Sequence, residues 1–440
     1  MNLAAARRRA GPESGPPGLK ARRDAVRAVT AVLREALPLD LAFAAIFDGS
    51  HAADGRDRAL TRAIAATTLR RMGQIEQALG RFVERPLPAK SGQAREILLT
   101  AGAQLLFLRT PAHAVIDLAV RLAGEQPGSR HLGGLINAVL RKLAAEGPAL
   151  LNDDVAPLVN TPAWLIERWG AAFGKEAALA IAASHMIEPP LDLTARDPAR
   201  VAAELGGILL RSGTVRLERA RGRIEDLPGY TDGRWWVQDE AAALPARLLG
   251  EVKGLRVLDL CAAPGGKTAQ LSAAGALVTA VERSPTRLQR LKANLERLKL
   301  QAETVLADAA EWQAEAPFDA VLLDAPCSAT GTIRRNPDVP HIKTPAMIAS
   351  LLPLQAQMLQ HAVDLVRDGG RLMYATCSLE REECEQQIEG LLMKRRDIVR
   401  LPIAAAELGD DQLITASGDL RTLPIHGMDG FYAARLKKIG

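Results

Sequence analysis

The chain's possible folds are restricted most by a change of period near residue 251. From there, short apolar runs alternate with amphipathic helical stretches. Arg256–Leu260 is a run, followed by a Gly/Pro loop and a helix from about Lys267. Leu277–Glu282 is the next run, and Pro285–Leu298 the next helix. Further runs follow at Thr304–Asp308, Phe318–Asp324 and Arg371–Thr376. Strands joined through helices pair in parallel, and a parallel sheet needs helices on both faces. Right-handed crossovers make residues 251–440 a doubly wound α/β domain. Ligands bind such sheets outside the carboxyl ends of the strands.

The residues before it differ. Over 21–147 the apolar spacing is helical: Val26, Val29, Leu33 and Leu37; Ile97, Ala101, Leu105 and Leu108; Ile136, Val139, Leu140 and Leu143. Breaks fall at Pro86 and Pro88, Pro111, and Pro127–Gly128, which predicts an all-α domain of several short helices. Residues 148–250 are mixed. Thr161–Pro162 opens a helix that Pro189–Pro190 ends, with Thr161 as cap. The runs Ile208–Leu210 and Val215–Leu217 follow, then Trp235–Trp236 and a helix over Val237–Leu249, so this stretch reads as a linker and small α+β module. The Trp pair is read as packing.

The 440 residues require two or three domains. No apolar run approaches the ~20 residues that span a bilayer. Residues 1–20 carry basic residues and Pro/Gly without an apolar core, so they read as a disordered basic tail and not a signal peptide; a cytoplasmic protein is expected. Residues 1–150 hold 22 Lys/Arg against 13 Asp/Glu, a net of +9, so the remainder carries −4 of the chain's +5. That places the basic charge where a polyanion can be gripped, although the first 23 residues alone supply +5 of it.

Polar and reactive residues cluster where the strands end. The first strand leads into Cys261-Ala262-Ala263-Pro264-Gly265-Gly266-Lys267-Thr268, whose small residues let a bound molecule approach the backbone. Glu282 ends the second strand, 23 residues after Asp259, where a carboxylate can accept hydrogen bonds from both hydroxyls of a ribose. Asp308 ends the third strand and Asp324 the fourth. Gly265-Gly-Lys-Thr268 looks like the tail of a P-loop, but the first glycine of that motif falls on Cys261; GxGxxG is also absent. An adenosine cofactor without phosphates remains, and S-adenosylmethionine fits.

Four cysteines are present: Cys261, Cys327, Cys377 and Cys384. None forms a CxxC pair and the seven histidines have no ligand spacing, so no metal is expected. Cys327 lies just past the fourth strand and Cys377 just past the fifth. If those strands are neighbours, their ends are only ~5 Å apart and two thiols face one cleft beside Asp324. Such a set suits methylation of cytosine at carbon 5, a poor nucleophile until a thiolate adds to carbon 6. A carboxyl against N3 and the exocyclic amine steadies the charge that develops on the ring. Cys384, on a charged helix over Glu380–Glu389, reads as incidental.

Asp259-Leu-Cys-Ala-Ala-Pro-Gly-Gly-Lys-Thr268, Asp324-Ala-Pro-Cys-Ser-Ala-Thr-Gly331, Ala375-Thr-Cys-Ser378 and Asp429-Gly-Phe-Tyr-Ala-Ala-Arg435 resemble the bacterial RNA cytosine-5 methyltransferases. The resemblance implies a Rossmann-like, S-adenosylmethionine-dependent methyltransferase sheet. It implies Cys377 as nucleophile, Cys327 as an aid to product release and Asp324 as the residue that orients the base. DNA cytosine methyltransferases use the cysteine of their Pro-Cys motif, so Cys327 is the rival nucleophile. Cofactor contacts carry over to Cys261, Ala262, Ala263, Pro264, Gly265, Gly266, Lys267, Glu282, Asp308 and Asp324. The N-terminal part looks like the NusB fold, an all-α RNA-binding domain, best at Leu135-Ile-Asn-Ala-Val-Leu-Arg-Lys142; Trp164–Trp169 and Val237-Gln-Asp-Glu-Ala241 resemble the connecting segments. The combination is similar to 16S ribosomal RNA enzymes of the Sun/Fmu (RsmB) type, which implies RNA, most often 16S rRNA, as partner, with neither DNA nor membrane. A monomer is the default.

Two stretches depart from the family pattern, Leu193-Thr-Ala-Arg196 and Asn336-Pro-Asp-Val-Pro-His341, both where RNA contacts are expected. Arg334 and Arg335 are expected to hold RNA phosphates. A tRNA-modifying enzyme shares the same catalytic half. A catalytically silent RNA-binding factor would need none of Asp324, Cys327 and Cys377.

Overall fold

The computed structural model describes residues 16–47, 55–88, 90–218 and 222–440. The chain divides into two compact units, Met1–Asn160 and Thr161–Gly440. Most of the expected tail, up to residue 15, lies outside the described residues. Its last residues do not fit a disordered reading: the first helix, Leu19–Glu35, already begins at Leu19.

The first unit is helical. Its core is built by the faces that the spacing marks out: the helix Gly133–Glu146 buries Ile136, Val139, Leu140 and Leu143, which meet Ile97 and Ala101 of the helix Ala94–Leu106. Each such side chain removed from water contributes about 2 kcal/mol. Residues 148–160, read from the sequence as the start of the next module, supply the helix Ala156–Asn160. Asn160 Nδ2 donates to Gln74 Oε1 at 3.0 Å, inside the first unit.

In the second unit, Pro162 caps the helix Ala163–Phe173, and Thr161 makes no capping bond to it. A second helix, Lys175–His185, follows the break at Gly174. Four short strands form a small antiparallel sheet: β1 (Leu191–Ala195), β2 (Ile208–Leu209), β3 (Val215–Leu217) and β4 (Trp235–Val237), in the order β2-β3-β1-β4. The Trp pair therefore forms a strand, and the helix begins later, at Glu240–Leu248. Both indoles pack inward: Trp235 Nε1 donates to Pro228 O and Trp236 Nε1 to Gln238 Oε1, each at 2.8 Å.

The main sheet contains β5 (Arg256–Leu260), β6 (Leu277–Glu282), β7 (Glu303–Leu306), β8 (Phe318–Asp324), β9 (Val366–Thr376), β10 (Ile398–Arg400), β11 (Leu420–Thr422) and β12 (Phe431–Lys438). Its order is β10-β12-β9-β8-β5-β6-β7, with β11 paired to β12. The strands from β9 to β7 run parallel, and β12 is antiparallel to β9. Successive side chains go to opposite faces. Val321, Leu323, Leu372 and Tyr374 meet Met358 and Leu359 of the helix Pro345–Asp364 on one face. Ala320, Leu322, Met373 and Ala375 meet Leu244 and Leu271 on the other. Burial on both faces is why these strands read as unbroken apolar runs. Chain order reverses at β5, between β8 and β6, which makes the ends of β5 and β8 the crevice of the sheet.

Asp259 interrupts the apolar run of β5 and is fully buried. Thr268 Oγ1 donates to Asp259 Oδ2 at 2.6 Å, whereas Oδ1 has no hydrogen-bond partner. Burial pushes this carboxyl up to about 7. The folded state thus holds a proton that the unfolded chain has released, so stability falls as pH rises from about 4 to about 7 and levels off above. Asp259→Asn removes that dependence. It is expected to add roughly 4 kcal/mol at most at pH 8 and much less at pH 4, read as the difference between melting curves at the two pH values.

Candidate active site

The sequence around β5 builds a cradle. Cys261 at φ 61° and Gly265 at φ 102° turn the chain from β5 into the helix Gly266–Ala273. A Cβ on Gly265 would lie 3.1 Å from Leu291 Cγ, so the glycine also lets the loop lie close to the helix Pro285–Leu298. Lys267, at the first turn, is nearly buried; its Nζ donates to Asp324 Oδ2 at 2.7 Å and lies 4.9 Å from the centre of the Phe431 ring. β12, the closing strand of the chain, thereby reaches the site through Phe431.

Two cavities meet at Cys261, Ala263 and Asp324. One, of about 200 Å³, also has Glu282, Ala309, Pro326, Met358, Cys327 and Cys377 in its walls. The other, of about 440 Å³, is walled by the loop from Cys261 to Lys267 and by Trp236, Gln238 and Arg297. Asp308 lines neither cavity: β7 stops at Leu306, and Asp308 turns back so that its Oδ1 accepts from Ala310 N at 2.9 Å. Its neighbour Ala309 lines the smaller cavity instead.

Glu282 is 2% exposed. Its Oε1 accepts from Ser284 N at 2.9 Å, while Oε2 has no hydrogen-bond partner and faces Arg287 Nη1 at 3.6 Å. A buried carboxylate oxygen without a donor costs stability unless a ligand satisfies it. Set beside the apolar walls of Ala309, Pro326 and Met358, it suits a ribose bearing a flat purine.

The thiols converge because β8 and β9 are parallel neighbours in the register Asp324↔Ala375. Cys327 Sγ and Cys377 Sγ lie 3.4 Å apart. The Cys327 thiol is held well above its usual value by its hydrogen bond with Cys377 and by burial, with the charges of Cys377 and Glu383 adding. Burial pushes Cys261 up to about 12 as well. Cys384 does not sit on a helix but between the turn Arg381–Glu383 and the helix Glu385–Lys394; it is wholly buried, with Sγ 3.2 Å from Thr376 Oγ1.

Arg334 is buried and Arg335 partly exposed, and both are paired with carboxylates. Arg334 donates to Asp429 Oδ1 at 2.6 Å and to Asp239 Oδ2 at 2.9 Å, and Arg335 Nε reaches the same two carboxylates at 3.1–3.2 Å. Burial pushes Asp239 up, but Arg335 and Arg334 pull it below its usual value, while Asp429, buried beside Asp239, stays raised to about 6. The departures from the family pattern are also built into the fold. Arg196 donates to Leu298 O and to Lys299 O (3.2 Å) at the end of the helix Pro285–Leu298, and Asp338 is 4% exposed. Gly331 packs against the closing strand: a Cβ there would lie 1.9 Å from Gly430 O. Glu383 and the pairing of Asp239 with Asp429 were missing from the sequence reading, since a charged residue carries no sign of burial in the sequence; Met358 was missed because it is one apolar residue among many on its helix.

A doubly wound sheet of this strand order, with its crevice at the ends of β5 and β8, is the fold of an S-adenosylmethionine-dependent methyltransferase. The chain belongs to the family described as 16S rRNA methyltransferase RsmB/F, whose model matches residues 246–437; residues 19–145 match the NusB family. Among its relatives, ribosomal RNA small subunit methyltransferase B of Xanthomonas campestris pv. campestris is 35% identical over 97% of this chain and 99% of that one. The protein of the same name in Pseudomonas putida is 36% identical over 94% and 98%. The crystal structure of PH0851 shares the fold with a TM-score of 0.76 at 24% identity, covering 97% of this chain and 99% of that one. A methyltransferase homolog protein from Pyrococcus horikoshii covers 62% of this chain and 94% of its own, at 25% identity and a TM-score of 0.53. No described helix is long and apolar enough to cross a membrane.

Proposed function

We propose that the chain methylates carbon 5 of a cytosine in 16S rRNA through a covalent bond between Cys377 and carbon 6. The observation that carries this reading is the pair of thiols 3.4 Å apart on a cavity shared with Glu282 and Asp324. In it, Glu282 holds the ribose of the cofactor, and the loop from Cys261 to Lys267 holds the rest. When bound, S-adenosylmethionine supplies an electrophilic methyl group.

Cys377 attacks carbon 6, which makes carbon 5 a nucleophile. Cys327, kept as a thiol, donates toward Cys377 Sγ and steadies the thiolate. Asp324, fixed by Lys267 at 2.7 Å, accepts from the exocyclic amine and, once N3 has taken up a proton that neutralises the ring, from N3–H, and so orients the base. After methylation a base takes the proton on carbon 5, the carbon 5–carbon 6 double bond re-forms, and the carbon 6–sulfur bond breaks with its electron pair leaving on Cys377 as thiolate; Cys327 assists that release. This assignment of Cys377 over Cys327 as nucleophile rests on the resemblance of Ala375-Thr-Cys-Ser378 to the family motif. The first unit, NusB-like and carrying most of the chain's basic residues, is the proposed grip on RNA in the cytoplasm. The proposed division, with its first border moved from residue 147 to the border of the first unit, is 19–160 for that domain, 161–250 for the module and 251–440 for catalysis.

RNA labelled with tritium at carbon 5 of cytosine tests the chemistry. One tritium released per methyl transferred from S-adenosylmethionine supports attack at carbon 5, and transfer without release excludes it. The cofactor role of Glu282 is checked by calorimetry. Glu282→Ala removes charge-assisted bonds worth about 1.5–3 kcal/mol, so the Kd for S-adenosylmethionine is expected to rise roughly 10- to 100-fold.

A further inference from the structure

Glu383 touches both thiol-bearing loops. It is wholly buried at the end of the turn Arg381–Glu383, just after β9. Its Oε1 accepts from Ser328 N at 2.9 Å and from Gln355 Nε2 at 3.0 Å. Its Oε2 accepts from Ser378 Oγ at 2.6 Å and from Ser328 Oγ. Ser328 follows Cys327 and Ser378 follows Cys377. Tyr374 OH donates to Glu383 O at 2.7 Å, which anchors the turn to β9 itself. A buried carboxylate kept only for packing is a costly choice, because apolar residues of similar volume fill such a site as well. Four donors from three segments, two of them next to the thiols, indicate a use beyond packing.

We propose that Glu383 is a positioning residue, which sets the separation and direction of Cys327 and Cys377 by bonding to the serine beside each. The proposal rests on the reading of these cysteines as the reacting pair. The carboxylate also acts through its charge, adding to the hydrogen bond and burial that keep Cys327 a thiol.

The test uses the full chain with Glu383→Gln and Glu383→Asp. Its first arm is independent of the reaction: alkylation of Cys327 by iodoacetamide, followed peptide by peptide across pH. Glu383→Gln loses the charge and is expected to move the Cys327 profile down by about one pH unit. Glu383→Asp keeps the charge and leaves the profile near that of the unaltered protein. In the second arm both variants lower kcat about 100-fold through misplaced thiols, with KM for RNA and Kd for S-adenosylmethionine within about threefold. A merely structural role lowers cofactor affinity and kcat together. If Glu383→Gln fails to fold, Ser378→Ala deletes a single arm and is expected to give the same loss confined to kcat. An unmoved Cys327 profile, or an unchanged kcat, overturns the proposal. Methyl transfer that survives Cys377→Ala instead removes the reading on which it rests, whatever the alkylation shows.

Discussion

Cys377→Ala is expected to lower methyl transfer by on the order of 10⁴-fold or more, with affinity for S-adenosylmethionine within about twofold. The two effects separate because Glu282 and the loop from Cys261 to Lys267 hold the cofactor, while Cys377 meets the base. Without a thiolate on carbon 6, carbon 5 has no electron density to offer. Cys327→Ala has the opposite signature. The attacking thiol is intact but its release is impaired, so a covalent protein–RNA complex accumulates and runs as a shifted band under denaturing conditions. If Cys327→Ala abolishes activity and Cys377→Ala accumulates the adduct, the roles are exchanged.

The second large effect concerns Arg334. It is 5% exposed and bridges Asp239, at the start of the helix Glu240–Leu248, to Asp429, just before β12. Asp239 Oδ1 in turn accepts from Asp429 N at 3.0 Å, so the cluster ties the helix to the closing strand. Arg334→Met leaves two buried carboxylates with Arg335 as their main counter-charge. The expected cost is about 3–5 kcal/mol. That corresponds to a drop of roughly 10 °C in melting temperature. Because Arg334 is spent on this cluster, the salt dependence of RNA binding is expected to keep its slope in folded protein, whereas loss of a phosphate contact reduces it by about one. Calorimetric melting and a salt titration of RNA affinity separate the two roles.

The strands β5, β6 and β8 are legible in the sequence at their full extents, because burial on both faces leaves unbroken apolar runs with Gly/Pro loops between them. The approach of Cys327 to Cys377 was legible only on the condition that the fourth and fifth strands are neighbours, which the register Asp324↔Ala375 of β8 and β9 meets. The antiparallel edge was legible only through the family motif at Asp429–Arg435, since short strands such as β10 and β11 carry too few residues to show a period. Val237, the last residue of β4, read as a helix start because apolar residues at a strand end and in a first helical turn look alike. Asp308 was named a cofactor contact from its place at a strand end and from the family resemblance; β7 ends two residues before it, and its Oδ1 accepts from Ala310 N. Arg334, Arg335 and Glu383 illustrate the general limit. Charge in a sequence suggests solvent or a polyanion, and only the fold shows that these charges face one another or the loops of the site.

Methylation of unmodified 16S rRNA by purified protein and labelled S-adenosylmethionine, with transfer RNA in parallel and the modified base mapped by bisulfite sequencing, decides the proposed activity. The expected result is 5-methylcytosine at a defined position of 16S rRNA, absent from the Cys377→Ala reaction and from transfer RNA. Methyl groups on another atom or only on transfer RNA, or 5-methylcytosine that persists in Cys377→Ala, would contradict it.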